Sequence, residues 1–141
     1  HCGPYTPPPH THTHSHSILS LLTSPPPPSQ VAAASTACNL ALDFSNVAPA
    51  LVEAGLPQAL TSLLNSMMPE LRLKALWAFK NLAFNCEARL QALLLRELSW
   101  GVFRELLTGD DDVAVRGQAV GLLQNLCKGG DSIEQVRSYV D

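Results

Sequence analysis

The stretch LRLKALWAFKNLA, residues 71–83, decides the fold of this chain. Its small and large apolar residues recur at steps of four, three and four from Leu71 to Leu82, which places them on one face of a helix. The Asn-Leu pair at its end returns at residues 39–40 and 125–126, with spacings of 42 and 44 residues. An alanine precedes each of the three asparagines by six positions. A self-similar period of this length predicts stacked helical repeats.

The composition of the 141-residue chain suits a helical core. Hydrophobic residues make up 46% of the sequence and charged residues 15%, and no stretch approaches the roughly 18 consecutive apolar residues that a membrane helix needs. The net charge is −3, and all nine lysines and arginines lie at or beyond Arg72, interleaved with acidic residues. We therefore expect neither a membrane nor a nucleic acid as a partner.

The four cysteines lie far apart and show no CxxC spacing. Two of them, Cys38 and Cys127, flank repeat asparagines, where the repeat pattern favours a small apolar residue. We therefore expect buried, reduced thiols rather than disulfides or a metal site. Reduced thiols indicate a reducing compartment, the cytoplasm or the nucleus. We expect no cofactor and no small-molecule substrate.

The sequence divides into a low-complexity head and a helical body. Residues 1–29 hold eight of the eleven prolines and all five histidines, and this composition predicts a disordered segment. Its alternating histidines could bind a metal, but a coil is the favoured interpretation because no ordered scaffold or acidic co-ligand accompanies them. Residues 30–141 form the second predicted domain. Because the chain starts at His1 and ends inside a predicted helix, we expect a fragment of a longer protein.

The body is punctuated by residues that start and stop helices. Gly55 closes one predicted helix, while Pro57 and Pro69 each occupy a first turn, for which proline is preorganised. No segment alternates as a strand does, so the predicted fold is all-α: a right-handed solenoid fragment of about two and a half repeats. We expect helices at about residues 30–43, 47–54, 57–65, 69–85, 87–98, 100–108 and 112–128, and from residue 131 to the end.

A second stripe of the central helix carries the candidates for partner binding. Lys74, Trp77 and Asn81 follow one another at steps of three and four residues. A tryptophan offers a broad surface, and an asparagine amide can bond the N–H and C=O of a peptide together. The alternative is that Trp77 packs between repeats and that the asparagines tie neighbouring segments together. The candidates in the adjoining repeats, given by the same register, are Asn39, Gln118 and Asn125.

Nothing in the body of the chain predicts catalysis. Residues 30–141 contain no histidine, no glycine-rich phosphate loop, and no cysteine or serine with a plausible base partner. The consecutive acids Asp110, Asp111 and Asp112 could suggest a cation site. Since they immediately precede a predicted helix, we interpret them as capping groups for its free N–H groups. We therefore predict neither an enzyme nor a metal centre.

Two consecutive segments together resemble an armadillo repeat. They are AGLPQALTSLLNS, residues 54–66, and the stretch at residues 71–83. The Gly-Leu-Pro opening, the paired leucines and the pattern Ala-x-Trp-Ala-x-x-Asn-Leu-Ala are all in register. The resemblance covers residues 30–141 and implies the armadillo fold, in which stacked third helices line a concave groove.

A narrower resemblance connects four segments to the armadillo subunits of the GID/CTLH ubiquitin ligases. These segments are residues 71–84, LLLRELS at 93–99, FRELL at 103–107 and VGLLQNL at 120–126. Members of that family are non-catalytic adaptors that link the LisH/CTLH scaffold to the substrate receptor. The resemblance implies an adaptor in proteasomal degradation, present in cytoplasm and nucleus, with the groove as the docking surface.

Two other functions stay open. The pair Trp77 and Asn81 fits the Trp-x-x-x-Asn pattern of importin-α-like carriers, which bind nuclear-localisation peptides. Such carriers repeat the pair, whereas here Ser35 and Gly121 occupy the other tryptophan positions, and Lys74 disfavours a basic cargo. The third alternative is a purely structural solenoid segment whose parent protein binds its partners elsewhere.

Overall fold

The computed structural model describes residues 9–23, 26–42, 47–128 and 132–141, and for residues 9–14 and 132 it describes the backbone alone. Every regular element among these residues is an α-helix, as the sequence predicts. In chain order the helices are α1 (Pro9–Thr23), α2 (Pro27–Leu42), α3 (Val47–Glu53), α4 (Leu56–Leu63), α5 (Pro69–Ala83), α6 (Ala88–Glu97), α7 (Trp100–Thr108), α8 (Val113–Leu126) and α9 (Ser132–Val140).

The helices repeat in groups of three. Helices α3, α4 and α5 form one repeat and α6, α7 and α8 form the next, while α2 ends the preceding repeat and α9 begins the following one. The third helices pack side by side, with α5 between α2 and α8. We call the sheet-like array of α2, α5 and α8 the third-helix layer. None of the described helices is long and apolar enough to cross a membrane.

The predicted stripe of the central helix forms the middle of the core. Leu71, Ala75, Ala78 and Leu82 are all buried, and both alanines are fully inaccessible to solvent. Because alanine projects only a methyl group, these positions let α5 approach its neighbours closely. Each fully buried leucine of such a core contributes about 1.5–3 kcal/mol. The sequence prediction of this packing face is confirmed.

The loops start their helices as the sequence predicts. Gly55 has φ of +103°, a conformation that residues with a side chain rarely adopt, and the chain turns there into α4. Pro57 lies in the first turn of α4 and Pro69 is the first residue of α5. At both positions the missing N–H of proline has no helical partner to lose.

The first 29 residues differ from the prediction of disorder over much of their length. Residues 9–23 form α1, which packs against α2, α3 and α4. Leu22 is fully buried, and the amide Nε2 of Gln30 donates a hydrogen bond to its carbonyl at 3.0 Å. The short apolar run before the prolines therefore has a core to pack against. Residues 1–8 lie outside the described residues.

One further feature of this segment differs from the sequence prediction. Pro27 and Pro28 are helical, because they occupy the first turn of α2, where proline is tolerated. In the histidine tract, the side chain of His16 is exposed, and the side chains of His10, His12 and His14 lie outside the described set.

The three cysteines of the described residues are free thiols, without disulfide bonds, in different environments. Cys38 is buried, donates to the carbonyl of Lys74 at 3.1 Å, and has its pKa raised by burial to about 11. Cys86 is half-buried. Cys127 is exposed, so its predicted burial is wrong: it caps the C-terminal end of α8 instead of facing the core.

The acidic cluster before α8 has two separate roles. Asp112 is the N-cap, and its carboxylate accepts from the N–H groups of Ala114 and Val115 at 2.8 and 3.1 Å. The predicted capping is therefore confirmed for Asp112. Asp110 instead pairs with Arg72 of the preceding repeat, accepting from its Nε at 2.8 Å and its Nη2 at 3.1 Å.

This ion pair joins two repeats and is largely buried. The side chain of Asp110 is 6% exposed and that of Arg72 is 16% exposed. Arg72 also donates to the carbonyl of Ser66 at 2.8 Å, so one guanidinium fixes two loops. The hydrogen bonds from Arg72 lower the pKa of Asp110 below its ordinary value of 3.8.

We predict that Asp110→Asn lowers the free energy of unfolding by about 1–3 kcal/mol at neutral pH, because Arg72 loses its charged partner while half-buried. A lowered folded-state pKa stabilises the fold above the unfolded value and ceases to do so as the pH falls through the folded value. The difference from the wild type should therefore shrink as the pH falls below 3.8.

Urea unfolding at about pH 7 and about pH 3 measures this difference. Asp111→Asn is the matched control, since the Asp111 side chain is exposed and accepts no hydrogen bond from the described residues. An Asp110→Asn penalty of the same size at both pH values would contradict the assigned ion pair.

Candidate partner-binding surface

The repeat asparagines tie the third helices together. Asn81 donates from Nδ2 to the carbonyl of Cys38 at 3.0 Å, and Asn125 donates from Nδ2 to the carbonyl of Lys80 at 2.9 Å. In both cases the acceptor is the residue immediately before the asparagine of the preceding repeat. Lys80 lies in the last turn of α5, where helical carbonyls have no N–H farther along the helix to bond. The side-chain amide satisfies that carbonyl from the next repeat.

The side-chain oxygens of these two asparagines differ in their hydrogen bonding. Asn81 is 8% exposed, and its Oδ1 accepts no hydrogen bond from the residues that the structure describes. The Oδ1 of Asn125 accepts from Nζ of Lys128 at 3.2 Å. Asn81 therefore combines a structural hydrogen bond with an acceptor that a peptide N–H could use. Asn39, in the first of the three helices, is exposed and carries no such tie among the described residues.

Trp77 lies on the solvent side of the third-helix layer. Its side chain is 37% exposed, although the helix around it is otherwise packed. The ammonium of Lys74 lies 5.3 Å from the centroid of its ring, and that of Lys80 lies 5.8 Å from it. At these distances a cation is attracted to the ring face, by about 0.5–1 kcal/mol for an exposed pair. Two lysines are thus held around one indole.

The neighbouring repeats leave room around this tryptophan. The equivalent positions are Ser35 on α2 and Gly121 on α8, and neither supplies a large side chain. At Gly121 a Cβ would lie 3.0 Å from Cδ of Lys80, which is tighter than an ordinary contact. The stem of Lys80 therefore passes close to Gly121, and a side chain there would displace it slightly.

The structure brings most, but not all, of the sequence-predicted residues together. Lys74 and Trp77 are in contact, and Asn81 lies on the same helix beside Lys80. Gln118 is half-buried on α8, and its Oε1 is buried without a partner among the described residues. The sequence analysis missed Lys80. Its position three residues after Trp77 was a usable signal, because residues three apart share a helix face.

An open cleft of about 1000 Å³ adjoins this surface. Lys80, Asn81 and Asn125 line one side of it, and the exposed ring of Phe84 lines another. The ammonium of Lys128 lies 5.7 Å from the centroid of that ring. The cleft provides apolar surface beside polar groups that could bind a peptide backbone.

Stacked three-helix repeats with amide ties between their third helices define an armadillo repeat protein. The family model described as Armadillo/beta-catenin-like repeat matches residues 45–84, which span α3, α4 and α5. The chain belongs to the armadillo-repeat family.

The sequence is also similar to Armadillo repeat-containing protein 8 from several animals. The protein from Xenopus laevis is 39% identical over 108 residues, which is 77% of this chain and 15% of that protein. The protein from Danio rerio is 33% identical over 129 residues, or 92% of this chain and 19% of that protein. The chain therefore spans less than one fifth of the length of these curated relatives.

Solved structures share the fold. An engineered protein aligns with a TM-score of 0.79 at 25% identity, covering 89% of this chain and 51% of its own. A designed armadillo repeat protein in complex with the peptide (KR)4 aligns with a TM-score of 0.73 at 20% identity, covering 80% of this chain and 46% of its own. The predicted fold class and family are confirmed.

We predict that Asn81→Ala and Asn125→Ala each lower the free energy of unfolding by about 1–3 kcal/mol, because each removes a side-chain hydrogen bond between repeats. Asn39→Ala should change it by less than about 0.5 kcal/mol, because that side chain is exposed and makes no tie with the residues that the structure describes. Chemical denaturation of the three variants makes the comparison. Equal losses in all three would contradict the stabilising role assigned to the tie, since a change from asparagine to alanine by itself favours the helix.

Proposed function

We propose that this chain is a non-catalytic protein-interaction segment that binds an extended portion of a partner on its third-helix layer. The observation that carries the proposal is Trp77, which remains 37% exposed at the centre of that layer. Large exposed aromatic residues in well-packed surroundings are typical binding anchors. Asn81 lies one turn along the same helix and retains a free acceptor among the described residues.

The cleft beside Asn81 supports the same function. An extended peptide that crosses the layer would place its backbone N–H groups against Oδ1 of Asn81. Its side chains would then reach the ring of Trp77 on one side and the cleft near Phe84 on the other. We propose no catalytic activity and no cofactor for this segment.

The finer proposal concerns the assembly in which the parent protein works. Similarity to Armadillo repeat-containing protein 8 over 108 residues at 39% identity supports a role as an adaptor of a GID/CTLH ubiquitin ligase. In that role the whole protein would connect the LisH/CTLH scaffold with the substrate receptor for proteasomal degradation. We propose the cytoplasm and the nucleus as its location.

An importin-α-like function receives less support from the charges. A designed armadillo repeat protein of the same fold was solved with the basic peptide (KR)4. In this chain Trp77 is flanked by the ammonium groups of Lys74 and Lys80, which repel a basic peptide. The tryptophan also occurs once in the three stacked helices, so it offers no repeated set of pockets for successive lysines.

Affinity purification of the tagged chain from eukaryotic cells, followed by mass spectrometry, tests the proposed function. We expect recovery of RING subunits together with LisH/CTLH scaffold proteins, and loss of at least one partner in Trp77→Ala. Val113→Ala is the matched control, because Val113 is 72% exposed at the start of α8. Recovery of importin-β with basic cargo would contradict the ligase role.

Unchanged recovery by Trp77→Ala, together with a lowered melting temperature, would support the third alternative. In that case Trp77 would serve packing, and this segment would be a structural part of the solenoid. A folded Trp77→Ala variant with the melting temperature of the wild type and fewer partners would establish the binding role.

A further inference from the structure

The charges of the third-helix layer are unbalanced. Within α2, α5 and α8, over the residue ranges given above, Glu70 is the single acidic residue. The same ranges contain four basic residues: Arg72, Lys74, Lys80 and Arg116. Both arginines are engaged by Asp110, Arg72 with its carboxylate and Arg116 with its main-chain carbonyl. Among the residues that the structure describes, no acidic group is paired with the two lysines, Lys74 and Lys80.

These two lysines form a cluster around Trp77. Their ammonium groups lie within 6 Å of the ring centroid, at 5.3 Å for Lys74 and 5.8 Å for Lys80. Neither makes an ion pair or a side-chain hydrogen bond with the residues that the structure describes. The ring face holds both cations in place and leaves their hydrogen-bond donors unused.

We propose that Lys74, Trp77 and Lys80 bind an acidic segment of a partner protein, an extended peptide with alternating carboxylate side chains. The inference rests on the proposed function and specifies the chemistry of the partner. Alternate side chains of an extended peptide point to the same side, so two carboxylates would pair with the two ammonium groups. The part of the peptide between the two carboxylate-bearing residues would cover the exposed part of the indole.

The small neighbours of Trp77 make this site a single one. Ser35 and Gly121 stand at the equivalent positions, so no second aromatic anchor follows along the layer. An added Cβ at Gly121 would lie 3.0 Å from Cδ of Lys80, so a side chain there would displace the stem of Lys80 slightly. One anchor with two charges suits a short acidic motif in an otherwise neutral segment.

A nucleic-acid strand fits the same surface less well. Binding of single strands uses a groove with positive charges along the backbone and aromatic residues for successive bases. Helix α2 carries no basic residue, and the one basic residue of α8, Arg116, is engaged with Asp110. The positive charge is therefore confined to one rung, which favours the acidic peptide.

Fluorescence anisotropy with three labelled decapeptides tests the proposal. Each alternates alanine with one other residue, which is glutamate, glutamine or lysine. We expect the glutamate peptide to bind about tenfold more tightly than the glutamine peptide, the lysine peptide to bind most weakly, and the preference to decline as salt is added. An oligouridine of similar length serves as the nucleic-acid probe.

The double variant Lys74→Gln with Lys80→Gln should reduce the affinity for the glutamate peptide to that for the glutamine peptide. The control is Arg104→Gln with Arg137→Gln, which removes the same charge from exposed positions on α7 and α9. This control should change the affinity by less than about twofold. Circular dichroism verifies that both variants keep the helical content of the wild type.

Each remaining outcome separates this proposal from the proposed function. Equal binding of the three peptides would overturn the preference for acidic partners and leave peptide docking intact. Absence of binding by all three to the folded chain would overturn both. Tighter binding of oligouridine than of the glutamate peptide would overturn the acidic-peptide assignment in favour of nucleic acid.

Discussion

The structure depends on pairing the main-chain carbonyls at the C-terminal ends of its stacked helices. When third helices pack side by side, these carbonyls leave water without an intrahelical partner. Side-chain amides from other helices donate to such carbonyls: Asn125 to Lys80 in the last turn of α5, and Gln91 of α6 to Leu126 at the end of α8, at 2.6 Å. Asn81 donates in the same way to Cys38, near the C-terminal end of α2. The alanines allow the helices to pack closely, and the side-chain amides provide hydrogen bonds to main-chain carbonyls where they do so.

The packing of the third helices also determines where the candidate partner-binding surface lies. The amide ties and the alanine stripe occupy the faces of α5 that meet α2 and α8, so only the remaining face is open to a partner. That face carries Lys74, Trp77 and Lys80. The equivalent positions on α2 and α8 carry the small residues Ser35 and Gly121. The same residue types therefore recur from repeat to repeat at the packed positions, whereas the residue types at the exposed positions differ.

The fold could be predicted from the sequence because the core positions repeat. The Asn-Leu pairs and the alanines six residues earlier indicate which face of each helix is packed, because that face is determined by the spacing of residues along the helix. Helix α1 could not be predicted in this way, since its composition is dominated by histidine, serine and threonine, and its few apolar side chains gain stability only from contact with the body. Its helical state is a tertiary effect, which local patterns do not contain.

The candidate surface was predictable in part. The spacing of Lys74, Trp77 and Asn81 placed them on one helix, but it could not decide whether the amide of Asn81 faces a partner or a neighbouring carbonyl. The structure shows the second for its Nδ2, by a hydrogen bond across 43 positions of sequence. Likewise, the ion pair of Arg72 with Asp110 joins residues 38 positions apart. Pairings at such separations depend on the angle between repeats, which the helical period alone does not specify.

The third helices repeat the same backbone geometry but differ in their exposed side chains, so one repeat can present a surface that its neighbours lack. A regular solenoid would present the same side chains at each rung and bind a repetitive peptide, as repeated pockets do. Here the two rungs beside Trp77 lack large side chains, and the four basic residues of the layer divide into two that hold loops and two that face solvent. Because the loop-holding arginines are engaged internally, the described residues of the layer carry unpaired positive charge on one rung, and the proposed partner would bind at that one position along the solenoid.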